Sequence, residues 1–500
     1  MTAPPEPPGQ TPPSHLKRLG RLSLAYGTAD VLAQGINLLL LPLYTSYLTP
    51  ADYGALALLL LLSTFLKILF RAGLDAGFMR IHYDLKGEAE KKGFAGSVAI
   101  FSALLSVTGF AIFWLFSGKV SLALLGDANQ TLWVRLVAFD LLASSFAFVP
   151  LTLLRIEERA ALFSTYSLIR HAANTVLKVL LITQGYGVTG ALVADAAASV
   201  LLSSCLLLEL RSRARWAFDW KHLREALRFG LPKIPHGLMV QSLNLADRWI
   251  LGAYVTRAEV GIYHMGSAFS SAMKFPLSAF EPAWQPFVFD HARREEGARE
   301  IGLMATRMCL LFTAVAASLC LILPDLLRFV IRNAEYHGAA EVIPILVLAS
   351  LFQGYFLLSS VGISISKQAR YYPMITAAAA GLNIAMNLWL VPRHGILAAA
   401  WATVFGYALM AAMGASISRR LYPIPVQWPR IARALIAGVL FFLVGTLWNA
   451  GWFGAFGRLA LAGGFVLFVW GGVFDETDRE EIRRALGAGG GFAVGNGSSR

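Results

Sequence analysis

Apolar runs of about 20 residues, the length needed to cross the hydrocarbon core of a bilayer, recur along this chain with only short polar breaks between them. They fall near 22–48, 53–77, 94–117, 131–153, 162–183, 188–209, 229–254, 259–288, 301–323, 340–365, 372–392, 395–418, 431–450 and 457–474. A soluble domain has no interior large enough to bury so much continuous apolar surface. The expected fold class is therefore an all-α polytopic membrane protein with about 14 transmembrane helices. Composition agrees, with 56% hydrophobic and only 15% charged residues in a chain of 500.

The formal net charge of +13 admits two readings, nucleic-acid binding or basic loops held on one side of a membrane, and the placement of the charges decides between them. If the N-terminus is cytoplasmic, the inward loops hold Lys17, Arg18 and Arg21; Arg80, Lys86, Lys91 and Lys92; Arg155 and Arg159; and Arg211, Arg213, Arg215, Lys221, Arg224 and Arg228. Arg293, Arg294, Arg299, Lys367, Arg370, Arg419, Arg420, Arg430, Arg433, Arg479, Arg483 and Arg484 continue that pattern, while the outward loops hold only Lys119, Arg257, Arg328, Arg332, Arg393 and Arg458. This asymmetry indicates an even number of spans with both termini inside. It removes nucleic acid as a partner, because the bases are spread over a membrane face.

One short stretch is written twice. "YLTPADYGAL", Tyr47 to Leu56, is echoed by "YVTRAEVGIY", Tyr254 to Tyr263, so that Thr49 matches Thr256, Asp52 matches Glu259 and Gly54 matches Gly261. Upstream in the same register, Gln34 meets Gln241, Asn37 meets Asn244 and Arg21 meets Arg228. Helices 1 to 6 and 7 to 12 then read as two parallel copies of a six-helix unit, an arrangement that places a binding site near the midplane. The expected division is a disordered leader at 1–16, lobes at 17–210 and 229–418, a cytoplasmic linker at 211–228, two extra helices at 431–474 and a tail at 475–500. The run after Arg21 is too long for a cleaved signal peptide and reads as the first span.

Polar residues inside the spans suggest what such a site would bind. Asp30, Gln34 and Asn37 share one face of helix 1, and Gln241, Asn244 and Arg248 share one face of helix 7, with Asp247 beside them. Lys67, Arg71 and Asp75 form a ladder on helix 2, Arg170, Asn174 and Lys178 another on helix 5, and helix 8 adds Lys274 and Glu281. A charge at the bilayer centre costs about 2.5 to 3.5 kcal/mol on insertion scales, so these groups should line a hydrated cavity. Its predominant sign is positive, which suits an anionic head group such as a diphosphate.

Each feature has a plainer reading. Arg71 with Asp75, and Asp247 with Arg248, are also spaced as internal ion pairs, and Lys67 and Lys178 as snorkelling residues. His171 and His236 read as packing groups, and the aromatics of "FEPAWQPF" and "WNAGWFGAF" as interfacial belts. "GYGVTG" (Gly185 to Gly190) fits a dinucleotide fingerprint but joins two membrane helices, so it reads as a turn. Cys205, Cys309 and Cys320 lie in apolar runs without metal-ligand spacing, and no metal or cofactor is expected.

"LPLYTSYLTPADYGALAL", "AGLDAGFMRIHYD" and "FGLPKIPHGLMVQSLNLADRWILGAYVTRAEVGIYHMGSAF" together resemble bacterial polysaccharide flippases of the Wzx type, in the multidrug/oligosaccharidyl-lipid/polysaccharide (MOP) exporter superfamily. The resemblance runs from Arg18 to about Phe474. It implies a transporter, not an enzyme, that moves an undecaprenyl-diphosphate-linked oligosaccharide for O-antigen or exopolysaccharide synthesis across the inner membrane by alternating access. It also implies a cationic cavity, for which Arg71, Arg80, Arg170, Arg248, Lys274 and Lys67 are the candidates, lined by Gln34, Asn37, Gln241, Asn244 and Asn174. An H+ or Na+ gradient would drive transport through Asp30, Asp247 or Glu281. A monomer is expected, with polysaccharide polymerase and chain-length proteins as candidate partners. Extra helices such as the last two are thought to form a groove for the polyprenyl tail in the related lipid II flippases; scaffolding is the plainer role. The alternatives are a lipid II flippase for peptidoglycan and a multidrug/ion antiporter.

Overall fold

The computed structural model describes residues 35–36, 39–157, 159–213, 218–292, 294–368, 370–447, 452–476 and 478–479, and these are helical with no strand among them. The expected leader at 1–16, together with Asp30, Gln34 and Asn37, lies outside the described residues, as do the side chains of Asn244 and His236 and nearly all of the tail. In chain order the helices are α1 (Leu41–Tyr47), α2 (Pro50–Phe70), α3 (Leu74–Asp84), α4 (Glu88–Leu115), α5 (Ser117–Leu125), α6 (Thr131–Ile156), α7 (Ala160–Thr183), α8 (Gly187–Arg213) and α9 (Trp220–Gly230). They continue as α10 (Ile234–Tyr254), α11 (Arg257–Ser270), α12 (Lys274–His291), α13 (Gly297–Val330), α14 (Ala339–Ser359), α15 (Val361–Ile365), α16 (Tyr371–Leu421), α17 (Trp428–Thr446) and α18 (Trp452–Phe468).

All fourteen apolar segments of the sequence carry helix within the described residues. Among those residues, nine stretches are long and apolar enough to cross a membrane. Most of the 22–48 segment lies outside the described residues, and part of the remaining shortfall has local causes. α16 holds two of the fourteen segments, broken at Gly395, whose backbone is non-helical. A 3-10 turn at Ser271–Met273 separates α11 from α12, and α7 is diluted by Arg170, His171, Asn174 and Lys178. "GYGVTG" is the turn between α7 and α8, with Gly185 and Gly187 at positive φ.

Contacts group the chain into two compact units, one of residues 1–265, 331–337 and 384–399, the other of 266–330, 338–383 and 400–500. In the first unit the echoed turns meet. Thr49 caps α2 by accepting from the Asp52 N–H while Asp52 Oδ2 accepts from the Thr49 N–H, a capping box that satisfies two orphan donors. Thr256 and Glu259 repeat it at the start of α11, with bonds of 2.9 and 3.3 Å. A Cβ on Gly54 would overlap the Arg257 carbonyl and lie 2.9 Å from the Gly261 nitrogen; one on Gly261 would overlap the Pro50 carbonyl. The repeated glycine is therefore a requirement of backbone-to-backbone approach between the two repeated helix starts.

The glycines of "AGLDAGFMRIHYD" serve a different contact. Gly73, in the left-handed region between α2 and α3, lies against Gly230, and Gly77 lies against the Ala226 carbonyl, so α9 packs directly on α3. Leu223 and Ala226 of α9 enter a buried cluster with Leu74, Phe78, Ile81 and Phe94.

In the second unit, α17 and α18 are tied to α13 by charge at two levels. Arg307 Nε donates to Asp478 Oδ1 at 2.6 Å, and Arg430 Nη2 donates to Asp478 Oδ2 and to the Val473 carbonyl, both at 2.7 Å. Burial of Asp478 opposes its charge, but the bonds from Arg430 and Arg307 outweigh it and hold the carboxyl below its ordinary range. At the second level Arg458 forks onto Asp325 at 2.5 and 2.7 Å. Arg307 and Asp325 are 18 residues apart on α13, about 27 Å along the axis and close to the thickness of the hydrocarbon core.

Gly54→Ala is expected to push the two helix starts apart and to lower stability by about 1–3 kcal/mol. Gly93→Ala in α4, where a Cβ meets nothing within 4 Å, should keep or slightly raise stability, since alanine is the better helix former. Thermal unfolding of the purified variants compares them directly, and an unaltered Gly54→Ala protein would refute the close-approach role.

Candidate functional site

Hydrocarbon tolerates charge only where a counter-charge or water accompanies it, so the intramembrane bases are best described by their partners. In the first unit, Lys67 on α2 lies 3.8 Å from Asp140 on α6, whose other oxygen accepts from Ser199 of α8 at 2.5 Å. On α7, Lys178 and Asn174 both reach Asp195 of α8, at 2.9 and 2.6 Å. Arg71, at the C-cap of α2, pairs with Asp75 across 3.0 Å, and its guanidinium lies 5.5 Å from the centre of the Phe148 ring. The positive fields of Arg170 and Arg71 and the negative field of Asp195 all reach Lys67. Four bases, Lys67, Arg71, Arg170 and Lys178, thus share one neighbourhood with three carboxylates, Asp75, Asp140 and Asp195.

The ladders expected on helices 2 and 5 therefore converge, and the carboxylates that hold two of their bases come from two other helices. Asp140 and Asp195 were not among the residues the sequence singled out. Their signal was present: each is an acid in the middle of a largely apolar span, and such a residue needs a partner. Lys67 and Arg71 also border a recess with Ser102, Ser106, Ser144 and Ser145, whose volume of about 20 Å³ suits one water.

Helix α10 places its residues differently. Asp247 and Arg248 are 4% and 7% exposed, and Asp247 accepts from the Tyr263 hydroxyl and, at 2.8 Å, from the Arg248 backbone N–H. The Arg248 guanidinium lies 3.9 Å from Asp247 and 6.0 Å from the Tyr263 ring centre. Its field reaches Tyr53 and His264, whose rings are 5.0 Å apart beside the twin turns. Gln241 is half-buried two turns earlier. This is an enclosed knot beneath the repeated motif.

Arg80, at the end of α3, is exposed and within 3.4 Å of Asp84. Lys274 and Glu281 are both exposed on α12 and belong to the second unit. That unit contains a chamber of about 820 Å³ between α13, α14, α16, α17 and α18. Its walls are apolar, including Ala317, Leu348, Leu435 and Phe442, and one end carries Asp325, Arg328, Glu341 and Arg458. Asn383 and Asn387, one turn apart on α16, are fully buried, and Asn383 donates to Thr403 at 3.4 Å. Among the described residues no cluster of three or more His, Cys, Asp or Glu side chains is placed to hold a metal.

Residues 46–291 match a family of polysaccharide biosynthesis proteins. A structure of the lipid II flippase MurJ in an inward closed conformation is similar over 93% of this chain and 99% of that one, at 14% identity and a TM-score of 0.72. An inward-facing multidrug resistance MATE family transporter of the MOP superfamily is similar over 80% of this chain and 94% of that one, at 17% identity and a TM-score of 0.59. The MATE multidrug transporter DinF-BH gives the same identity and TM-score over 82% of this chain and 96% of that one. No curated protein matches the chain.

Asp140→Ala is expected to destabilise the protein by about 1–3 kcal/mol, because the Ser199 hydroxyl and the Lys67 ammonium lose their shared acceptor. Asp140→Asn, which retains an acceptor for Ser199, should lose less. Equal unfolding temperatures for Asp140→Ala and the parent would show that the pairing is not what stabilises this part of the bundle.

Proposed function

We propose that this chain, a flippase-type membrane transporter of the MOP superfamily serving polysaccharide biosynthesis, carries an undecaprenyl-diphosphate-linked oligosaccharide across the bacterial inner membrane by alternating access. The observation that carries this reading is the gathering of Lys67, Arg71, Arg170 and Lys178 inside apolar helices of the segment that matches the polysaccharide family. Four bases against three carboxylates leave a surplus positive charge, and a diphosphate oxygen can take the place of a carboxylate oxygen on Lys67 or Arg71 without leaving either base unpaired. The displaced Asp140 or Asp75 then becomes available to a proton or a sodium ion, which supplies the coupling. Asp247, expected from sequence in that role, has the weaker case because Tyr263 and the Arg248 N–H already occupy it.

The sugar needs water, and the polyprenyl tail needs hydrocarbon. Taken by itself, the apolar chamber between α13, α14, α16, α17 and α18 suits a hydrocarbon chain. The basic loops assign both termini to the cytoplasm, and polysaccharide polymerase and chain-length proteins are the expected neighbours.

Purified protein in vesicles with labelled undecaprenyl-diphosphate saccharide, scored for the leaflet reached, tests this reading. Arg71→Ala with Arg170→Ala is expected to reduce translocation by at least about tenfold, the equivalent of one lost charged hydrogen bond of about 1.4 kcal/mol. Leu348→Trp, which fills the chamber, should impair long-chain substrate more than a short-chain analogue. Full activity of the double variant would overturn the assigned cationic site, and rescue of a strain lacking its lipid II flippase would reassign the substrate.

A further inference from the structure

Helix α9 has two unlike faces. Leu223, Ala226 and Gly230 are buried against α3 and its neighbours, while Lys221, Arg224 and Arg228 are exposed on the opposite side with Glu225 as the one exposed acid of the helix. At the two boundaries between those faces stand Trp220 and Phe229, 54% and 41% exposed. Phe218 stacks on Trp220 with ring centres 6.1 Å apart, and the Lys233 ammonium lies 4.1 Å from the centre of the Phe229 ring. Asp219, the other acid of the segment, is occupied as the N-cap: it accepts from the His222 N–H at 3.2 Å and pairs with His222 Nδ1 at 2.5 Å.

The chain fixes this helix at both its C-terminal end and its buried face. Its C-terminal end runs through the Leu231–Lys233 turn into the apolar helix α10, and its buried face is fixed to α3 by the Gly73–Gly230 approach. A helix in that position with a basic face, half-exposed aromatic rings along its edges and one exposed acid has the layout of a helix lying in the head-group layer.

We propose that α9 binds anionic phospholipid head groups, with Lys221, Arg224, Arg228 and Lys233 contacting lipid phosphate and Phe218, Trp220 and Phe229 seated at the acyl boundary. The occupant is the membrane surface itself, not a segment of another protein, because the aromatic edges and the basic face are presented together beside a membrane span. The contact also reaches the intramembrane bases: Gly73 follows Arg71 by two residues, so a lipid that steadies α9 steadies the α2–α3 bend from which Arg71 projects. This inference does not rest on the identity of the transported saccharide.

The full chain is placed in vesicles of phosphatidylcholine alone, or of phosphatidylcholine and phosphatidylglycerol in equal parts, and amide hydrogen exchange is followed over residues 218–230. Exchange should slow severalfold in the anionic vesicles, and added salt should reverse the effect. Each basic residue near an anionic surface strengthens association by about fivefold, so Arg224→Glu with Arg228→Glu should abolish the lipid dependence while Arg224→Lys with Arg228→Lys preserves it. Equal exchange of the parent protein in the two vesicle types would overturn the proposal without any variant, as would slowing that survives both salt and charge reversal. Because the readout is exchange and not transport, failure here is distinct from failure of the flippase reading.

Discussion

A charge carried into hydrocarbon must be compensated where it sits, and the arrangement of this protein follows from that requirement. Lys67, Arg71 and Lys178 could not remain on apolar helices if nothing answered them, and Asp140, Asp75 and Asp195 are there to do so. The same need brings helices together: Asp140 on α6 receives Lys67 from α2 and Ser199 from α8, so one carboxylate fixes three spans. In the second unit Asp478 gathers Arg307 and Arg430, and Asp325 gathers Arg458, which joins the last two helices to α13 at points about 27 Å apart. Between those ties the walls can be almost wholly apolar and still line an open chamber.

Lipid gives helices little hydrophobic reason to associate, so close packing decides which faces meet. Gly54 with Gly261, and Gly73 with Gly230, allow main chains to approach where a methyl group would overlap a carbonyl. The first pair joins the two copies of the repeated turn, each with its own capping box. The second joins the linker helix to the bend that holds Arg71. Small residues thus position the elements, and charged pairs hold them in register.

Much of this was legible in the sequence, and the rest was hidden for identifiable reasons. Period and length gave the helices, since a span must be about 20 residues whatever surrounds it. The repeat of Thr49, Asp52 and Gly54 at Thr256, Glu259 and Gly261 was visible, but not that the two copies touch, because contact between distant segments leaves no mark on local pattern. Lys67, Arg71 and Arg170 were found by their cost in hydrocarbon. Asp140 and Asp195 do not stand out by spacing along their own helices, because their partners lie 73 and 17 positions away, on other helices. Arg430 and Arg458 read as loop charges near span ends, and only folding shows them paired with Asp478 and Asp325, with Arg430 and Asp478 buried.

On the proposed reading, the pairing of Lys67, Arg71 and Lys178 with acids bears on how a carrier of an anionic head group would return empty. A site built only of arginine and lysine would hold its ligand tightly, but it would leave several unmatched charges in a low-dielectric interior once the ligand departs, at several kcal/mol apiece. Carboxylates within reach supply an internal anion for that half of the cycle. Lys67 and Asp140, 3.8 Å apart, are near enough for mutual stabilisation yet beyond a tight hydrogen bond, and Arg71 and Asp75 are each about half exposed. An exchange of one oxyanion for another across such a distance changes the local charge balance less than desolvating a bare cation does. On that reading, a surplus of one base over the acids would favour a diphosphate when it is present, while the empty site would stay closer to neutral.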